Sequence, residues 1–314
     1  ANPMIRLDHV SKKYPDGTLA VDDLSMSVAA GEICALVGPS GCGKTTTMRM
    51  INRLADPTDG TVSVGGVDVG TVDPRELRRH IGYVIQAVGL FPHYTVRRNV
   101  ATVCELLGWD KAKTAARVNE LLELVDLDPS VYGDRYPHQL SGGQRQRVGV
   151  ARALAGDPPV LLMDEPFGAV DPIARDNLQE QFLALQAQVR KTIVLVTHDI
   201  DEAVRMADRI AVLRQGGKLE QYAPPAELLA TPTNDFVADF VGANRTLKLL
   251  SVMPLPVLSE PAPSGVPVIS ADATLQQALT ALLASADGKI GVAHDDATRL
   301  LTLADVHAAL RPAA

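Results

Sequence analysis

The sequence predicts an α/β fold: a doubly wound parallel sheet, an antiparallel β-layer, a helical subdomain, and a small α+β unit towards the C-terminal end. Three observations carry this. Glu32-Ile33-Cys34-Ala35-Leu36-Val37 is an apolar run of strand length that enters a glycine-rich turn, Gly38-Pro39-Ser40-Gly41-Cys42-Gly43-Lys44-Thr45-Thr46. Met48, Ile51 and Ala55 then recur at helical spacing. Two more apolar runs, Pro159-Val160-Leu161-Leu162-Met163 and Thr192-Ile193-Val194-Leu195-Val196-Thr197, each follow a helical pattern. Strand–helix–strand repetition of this kind winds a parallel sheet. From about residue 243 the texture changes, with five prolines in 252–267.

The glycine-rich turn follows a strand and opens a helix, the context in which G-x-x-x-x-G-K-[ST] cradles phosphate. Its glycines let backbone N–H groups turn inward, and the helix N-terminus favours negative charge. Lys44 is placed to reach the β- and γ-phosphates of a bound polyphosphate, and the Thr45 hydroxyl to ligate Mg²⁺.

Composition narrows the class. A chain of 314 residues allows about two domains. Hydrophobic content of 46% and charged content of 21% are those of an ordinary globular protein. A net charge of −7 argues against a generic nucleic-acid binder. No apolar run is long enough to cross a bilayer, and no signal-peptide pattern opens the chain. Three cysteines, Cys34, Cys42 and Cys104, argue against a disulfide framework. The expectation is a cytosolic protein, brought to a membrane only through partners. Ala1 to Pro3 read as an addition ahead of Met4.

Taken in order, residues 5–65 alternate short apolar runs with turn signals (Pro15-Asp16-Gly17, Asp59-Gly60, Gly65-Gly66), which predicts the antiparallel layer. Tyr14 falls here, 24 residues before Gly38, and reads as a core, interface or base-stacking residue. Residues 81–86 read as a strand ending in Gln86, which alone has no assigned task. A mostly helical insertion runs from about 95 to 157, where Val118, Leu121, Leu122 and Val125 make an amphipathic stripe. Within it Leu140-Ser141-Gly142-Gly143-Gln144 opens a helix with Ser141 as N-cap; such an end suits an anion and equally suits a pliant helix start.

Asp164 and Glu165 end an all-apolar run that predicts a buried parallel strand. Ligands bind at the carboxyl ends of such strands, so Asp164 could hold Mg²⁺ and Glu165 could polarise a water. Acidic residues there are also ordinary solvated turn residues. Leu178, Phe182, Leu185 and Val189 mark the next helix, and His198 follows the strand after it, the same kind of position as Asp164. Beyond 243, a linker-like stretch precedes a helical stripe (Leu275, Ala278, Leu279, Leu282), strands at 289–293 and 298–302, and a short helix at 304–310. Residues 243–314 hold five basic and six acidic residues, so no charged tail is present.

Together these motifs resemble the ATPase subunit of ABC transporters, over roughly residues 4–242 with a helical subdomain at about 88–157. Gly38 to Thr46 resemble the Walker A loop, Gln86 the Q-loop glutamine, and Leu140 to Gln144 the signature. Val160 to Asp164 resemble Walker B, with Glu165 in the catalytic position, Asp171 in the D-loop and His198 as the switch histidine. Tyr14 resembles the adenine-stacking aromatic. The resemblance implies that two subunits sandwich two ATP molecules, with Ser141, Gly142, Gly143 and Gln144 completing the partner's site. It implies Mg²⁺ on Thr45, Asp164 and Gln86, water activation by Glu165, and γ-phosphate contacts from Lys44 and His198. Partners implied are a second copy, integral membrane permease subunits and, indirectly, a substrate-binding protein, at the cytoplasmic face of the membrane.

Arg135-Tyr136-Pro137-His138-Gln139-Leu140 resembles the importer branch rather than the exporters, and Gly82 to Gln86, Gly89-Leu90-Phe91-Pro92-His93 and Asp157 to Asp164 are similar to the ATPases of osmoprotectant importers, for cargoes such as glycine betaine, carnitine, choline and proline. Residues 269–314, after a linker at 243–268, resemble one cystathionine-β-synthase (CBS) motif, a regulatory or dimerisation unit; relatives usually carry two. Arg97-Arg98 stand where the family often has acidic residues, which points to an altered partner-facing surface. Cys42, at a helix N-terminus inside the loop, is expected to be alkylatable and protected by nucleotide. The alternatives are an importer ATPase for another cargo, such as a polyamine or amino acid, and a non-transport ABC ATPase.

Overall fold

The computed structural model of the chain describes residues 3–295 and 297–311, so Ala1, Asn2 and the last three residues of the expected C-terminal unit lie outside it. The elements run β1 (Ile5–Lys13), β2 (Leu19–Val28), β3 (Ile33–Val37), α1 (Lys44–Ile51), β4 (Asp59–Val64), β5 (Val67–Asp68), α2 (Pro74–Arg79) and β6 (Ile81–Val84). Four helices follow: α3 (Val96–Leu106), α4 (Lys111–Leu124), α5 (Pro129–Tyr132) and α6 (Gly142–Leu154). Then come β7 (Val160–Asp164), α7 (Pro172–Val189), β8 (Thr192–Val196), α8 (Ile200–Met206), β9 (Arg209–Arg214) and β10 (Lys218–Ala223). The remainder is α9 (Pro225–Ala230), α10 (Asp235–Val241), α11 (Arg245–Val252), β11 (Val268–Ser270), α12 (Leu275–Ala284), β12 (Lys289–Ala293), β13 (Thr298–Thr302) and α13 (Leu303–Ala309). The chain divides into two compact units, one running to Asp199 and adding Met206–Tyr222, the other made of Ile200–Arg205 and the chain from Ala223 onward.

The first unit carries both expected sheets. β2-β1-β4-β5 is the antiparallel layer, and the larger sheet has the order β10-β9-β3-β8-β7-β6. β9, β3, β8, β7 and β6 run parallel, and β3 sits between β9 and β8 with Ala35 opposite both Ile210 and Leu195. Every residue of β3 and β8 is buried, as a sheet covered on both faces requires. Ile5, Leu7 and Leu24 of the layer share one core with Cys34 and Leu36 of β3, Leu162 of β7 and Met48 and Ile51 of α1. α1 ends at Ile51, so Ala55 lies beyond the helix, although it still packs on this core. All three cysteines are free and buried.

The insertion is helical as expected, and Val118, Leu121, Leu122 and Val125 are all buried. Its turn before α3 hangs on Asn99, which is fully buried. The Asn99 carboxamide accepts from the Phe91 N–H at 2.8 Å and donates to the carbonyls of Phe91, Tyr94 and Thr95 at 3.0–3.2 Å. Arg97 is partly buried and Arg98 is exposed. The Arg97 guanidinium donates to Asn119 Oδ1 at 2.6 Å and to the Pro129 carbonyl at 3.2 Å, bracing α3 against α4 and the start of α5. Arg98 lies over the Tyr94 ring, 4.0 Å from its centroid.

In the second unit, β11-β12-β13 form a small sheet, β11 parallel and β13 antiparallel to β12. Leu275, Ala278 and Leu282 of α12 pack with Ile290, Val292, Leu301 and Val306. The stretch expected as a linker is ordered against this sheet. Leu249 and Leu250 of α11 are buried, the Ala262 N–H donates to Thr298, and the Glu260 carbonyl accepts from the Leu300 N–H. Its prolines suit this place, because an edge segment needs fewer N–H donors than a central strand.

Asn99→Ala removes the buried carboxamide that holds the partly exposed Phe91–Thr95 turn, so urea unfolding is expected to show a loss of about 2 kcal/mol.

Candidate functional site

The phosphate loop leaves the carboxyl end of β3 through two positions that exclude any side chain. At Gly38 a Cβ would stand 2.3 Å from the Leu213 carbonyl oxygen, and at Gly43, with φ 86°, 2.2 Å from that of Ala20. Gly43 caps α1 without a side chain, so no side-chain acceptor covers the first-turn N–H groups. Lys44 is only 7% exposed. Its ammonium donates to the Gly38 carbonyl at 2.6 Å and that of Pro39 at 3.2 Å, which fixes a cation inside the loop. Pro39, Ser40 and Gly41 form the outer rim, and Thr45 and Thr46 open the helix.

The parallel strands bring the acidic residues to the same end. Burial pushes the Asp164 carboxyl up, the Glu165 charge adds to this, and Arg49, the Thr45 hydroxyl hydrogen bond and Lys44 oppose it. Thr45, Lys44, Asp164 and Glu165 are therefore one electrostatic cluster. Glu165 adopts a left-handed backbone, φ 45°, with its N–H donating to the Val196 carbonyl at 2.8 Å. That conformation is strained for a residue with a Cβ and is held by its setting between β7 and β8. Glu165 Oε1 lies 3.2 Å from His198 Nδ1, so two positions expected separately form a pair. Gln86 lies two residues past β6, its amide against Gly168, which in turn donates to the Glu165 carbonyl.

Asp164 and Thr45 offer hard oxygen donors, a set that fits Mg²⁺. They are too few to hold it alone, and among the described residues no group of three His, Cys, Asp or Glu side chains could do so. Phosphate oxygens and water must therefore complete any such coordination.

The signature residues sit elsewhere. Ser141 caps α6 in a capping box, accepting from the Gln144 N–H at 3.1 Å while its own N–H donates to Gln144 Oε1 at 2.9 Å. Gly142 has open space around it. These residues share a pocket of about 540 Å³ with Asp171, the N-cap of α7, and no residue of the phosphate loop lines it. Tyr14 is 40% exposed in the turn between β1 and β2, with Lys12 Nζ 5.4 Å from its ring centroid, which removes the core reading.

Cys42 requires a correction. It is 1% exposed, with its sulfur 3.6 Å from Lys44 Nζ, because the tight turn at Gly38 folds it under the loop. Being at a helix start does not make a thiol accessible. Arg49, missed from the sequence, opposes the burial cost at Asp164 and hydrogen-bonds Tyr83. Its place four residues after Thr45, on the same helix face, was the available signal.

Two outcomes are expected. Maleimide should label Cys42 negligibly in the native protein with or without Mg-ATP, and readily in urea; fast native labelling contradicts the burial. Asp164→Asn should raise the melting temperature at pH 8. The raised carboxyl costs stability above its own pKa, so the gap should narrow as pH falls through that value.

Residues 21–168 match the family described as ABC transporter. The glycine betaine/carnitine/choline transport ATP-binding protein of Bacillus subtilis is 52% identical over 277 residues, covering 88% of this chain and 72% of its own length. The osmoprotectant import ATP-binding protein of Salmonella typhimurium is 53% identical over 251 residues, which span 79% of this chain and 65% of the relative. A dimeric bacterial ABC transporter cassette of known structure is 34% identical, with a TM-score of 0.63, over 70% of this chain and 98% of its own. A dimeric post-hydrolysis cassette bound to ADP and Pi matches at 32% identity and a TM-score of 0.62, over 70% and 98%.

Proposed function

The chain belongs to the ATP-binding subunits of ABC transporters, and we propose that it powers uptake of quaternary-ammonium osmoprotectants through a membrane permease. The observation that carries the cargo class is the pair of half-identical relatives named for glycine betaine, carnitine, choline and osmoprotectant transport.

The chemistry follows from the cluster at the carboxyl ends of β3, β7 and β8. Loop N–H groups and the Lys44 ammonium bind the β- and γ-phosphates of ATP, and Tyr14, exposed on its turn, offers a face for the adenine. Mg²⁺, held by Thr45 and Asp164 with Gln86 assisting, would neutralise phosphate charge when bound. Glu165 orients the attacking water and draws its proton, and the neighbouring His198 donates to the γ-phosphate as charge develops there. Ser141, Gly142 and Gly143 line a pocket apart from the phosphate loop; in this reading they complete the site of a second copy of the chain, with Asp171 where the two copies meet. Closure of that homodimer, rather than turnover in one subunit, transmits force to the permease; a substrate-binding protein outside the membrane selects the cargo. No helix of the described chain is long and apolar enough to cross a membrane, which accords with docking at the cytoplasmic face through the permease. The strand–helix–strand–strand–helix order of residues 268–309 supports reading the C-terminal unit as a single CBS-like element, regulatory or dimerising.

Glu165→Gln should bind ATP, turn it over at least a hundredfold more slowly and elute as a dimer with Mg-ATP; near-normal turnover removes Glu165 from this role. In cells lacking the gene, wild type but not Glu165→Gln should restore uptake of glycine betaine or choline. Uptake of spermidine alone would overturn the cargo class and leave the ATPase standing.

A further inference from the structure

Away from the nucleotide cluster, a cavity of about 240 Å³ opens between the end of α4, the middle of α6 and the body of α7. Its wall is apolar, with Phe167 and Phe182 set edge to face, 6.4 Å between centroids, beside Leu178 and Leu185. Asp126, Gln146, Arg147, Gln181 and Gln188 interrupt that wall, and Arg147 Nη1 lies 3.9 Å from Asp126 Oδ2. Gln146 Nε2, Arg147 Nε and Gln181 Oε1 are all buried and have no hydrogen-bond partner, and all three residues line this cavity. Gln146 is 2% exposed. A buried polar atom without a partner costs free energy, so three around one cavity are a local instability that packing alone does not explain.

We infer that this cavity is a binding site for a small amide-bearing molecule with an aromatic or branched apolar body. The body fills the space against Phe167, Phe182, Leu178 and Leu185. The amide carbonyl accepts from Gln146 Nε2 and the Arg147 guanidinium, and the amide N–H donates to Gln181 Oε1, each glutamine turning about its terminal torsion to meet it. An amide answers both glutamines whichever way their own carboxamides are turned, which neither a simple carboxylate nor an amine does. Arg147 and Leu178 line this cavity and also the pocket of Ser141 and Asp171.

The test is calorimetric titration of the purified full chain with 3-phenylpropanamide. Saturable binding with a dissociation constant of about 1 mM or tighter is expected. Gln146→Met and, independently, the more exposed Gln181→Met should each weaken it about tenfold, with unchanged circular dichroism and a melting temperature no lower than that of wild type. Saturating Mg-ATP should leave the affinity unaltered. Absence of saturable binding, equal affinity in wild type and both variants, or displacement by Mg-ATP would each overturn the assignment. None of these readouts requires ATP turnover, so failure here is separable from failure of the transport reading.

Discussion

At the carboxyl end of β3 the backbone of Gly38 passes so close to Leu213 of β9 that no side chain fits between them. The rest of the functional end depends on that approach. It turns the chain back over itself, so the Gly38 and Pro39 carbonyls face inward and receive the Lys44 ammonium. It also tucks Cys42 beneath the loop. A helix of eight residues is marginal by itself, and α1 persists because Met48, Met50 and Ile51 are buried in the core shared by the two sheets. The cation and the uncovered helix start are held in place by the chain's own backbone.

That rigidity is set against electrostatic strain. Parallel strands deliver Asp164 and Glu165 side by side, where burial and mutual repulsion both disfavour ionisation of Asp164. Lys44, Arg49 and Thr45 offset part of this cost. Glu165 carries a second cost, its left-handed backbone, and in return its carboxylate meets His198. Sites built for a polyphosphate and a divalent cation tolerate such clustering because the ligand supplies the missing positive charge.

The helical insertion and the C-terminal unit solve a different problem, holding short elements without a large core. The insertion does it with polar braces: Asn99 gathers the turn before α3, and Arg97 ties α3 to α4 and α5. Arg97 thus finds its partners inside the fold. The C-terminal unit lays its proline-rich approach along the small sheet, where absent N–H donors matter least.

Much of this was legible in the sequence because it is local. The glycine loop, the apolar strands and the stripe of α4 follow from spacing and burial requirements over a few residues, and the Ser141–Gln144 capping box is a contact three residues long. Cys42 misled because helix position is local but accessibility is not, and the braces of Arg97 were not legible because its partners lie 22 and 32 residues away. The order of strands around β3, the meeting of Glu165 with His198, and the orphaned groups of Gln146, Arg147 and Gln181 around one cavity have no local signature. Those were decided by tertiary packing, since each depends on residues brought together only when distant strands and helices close over a common core.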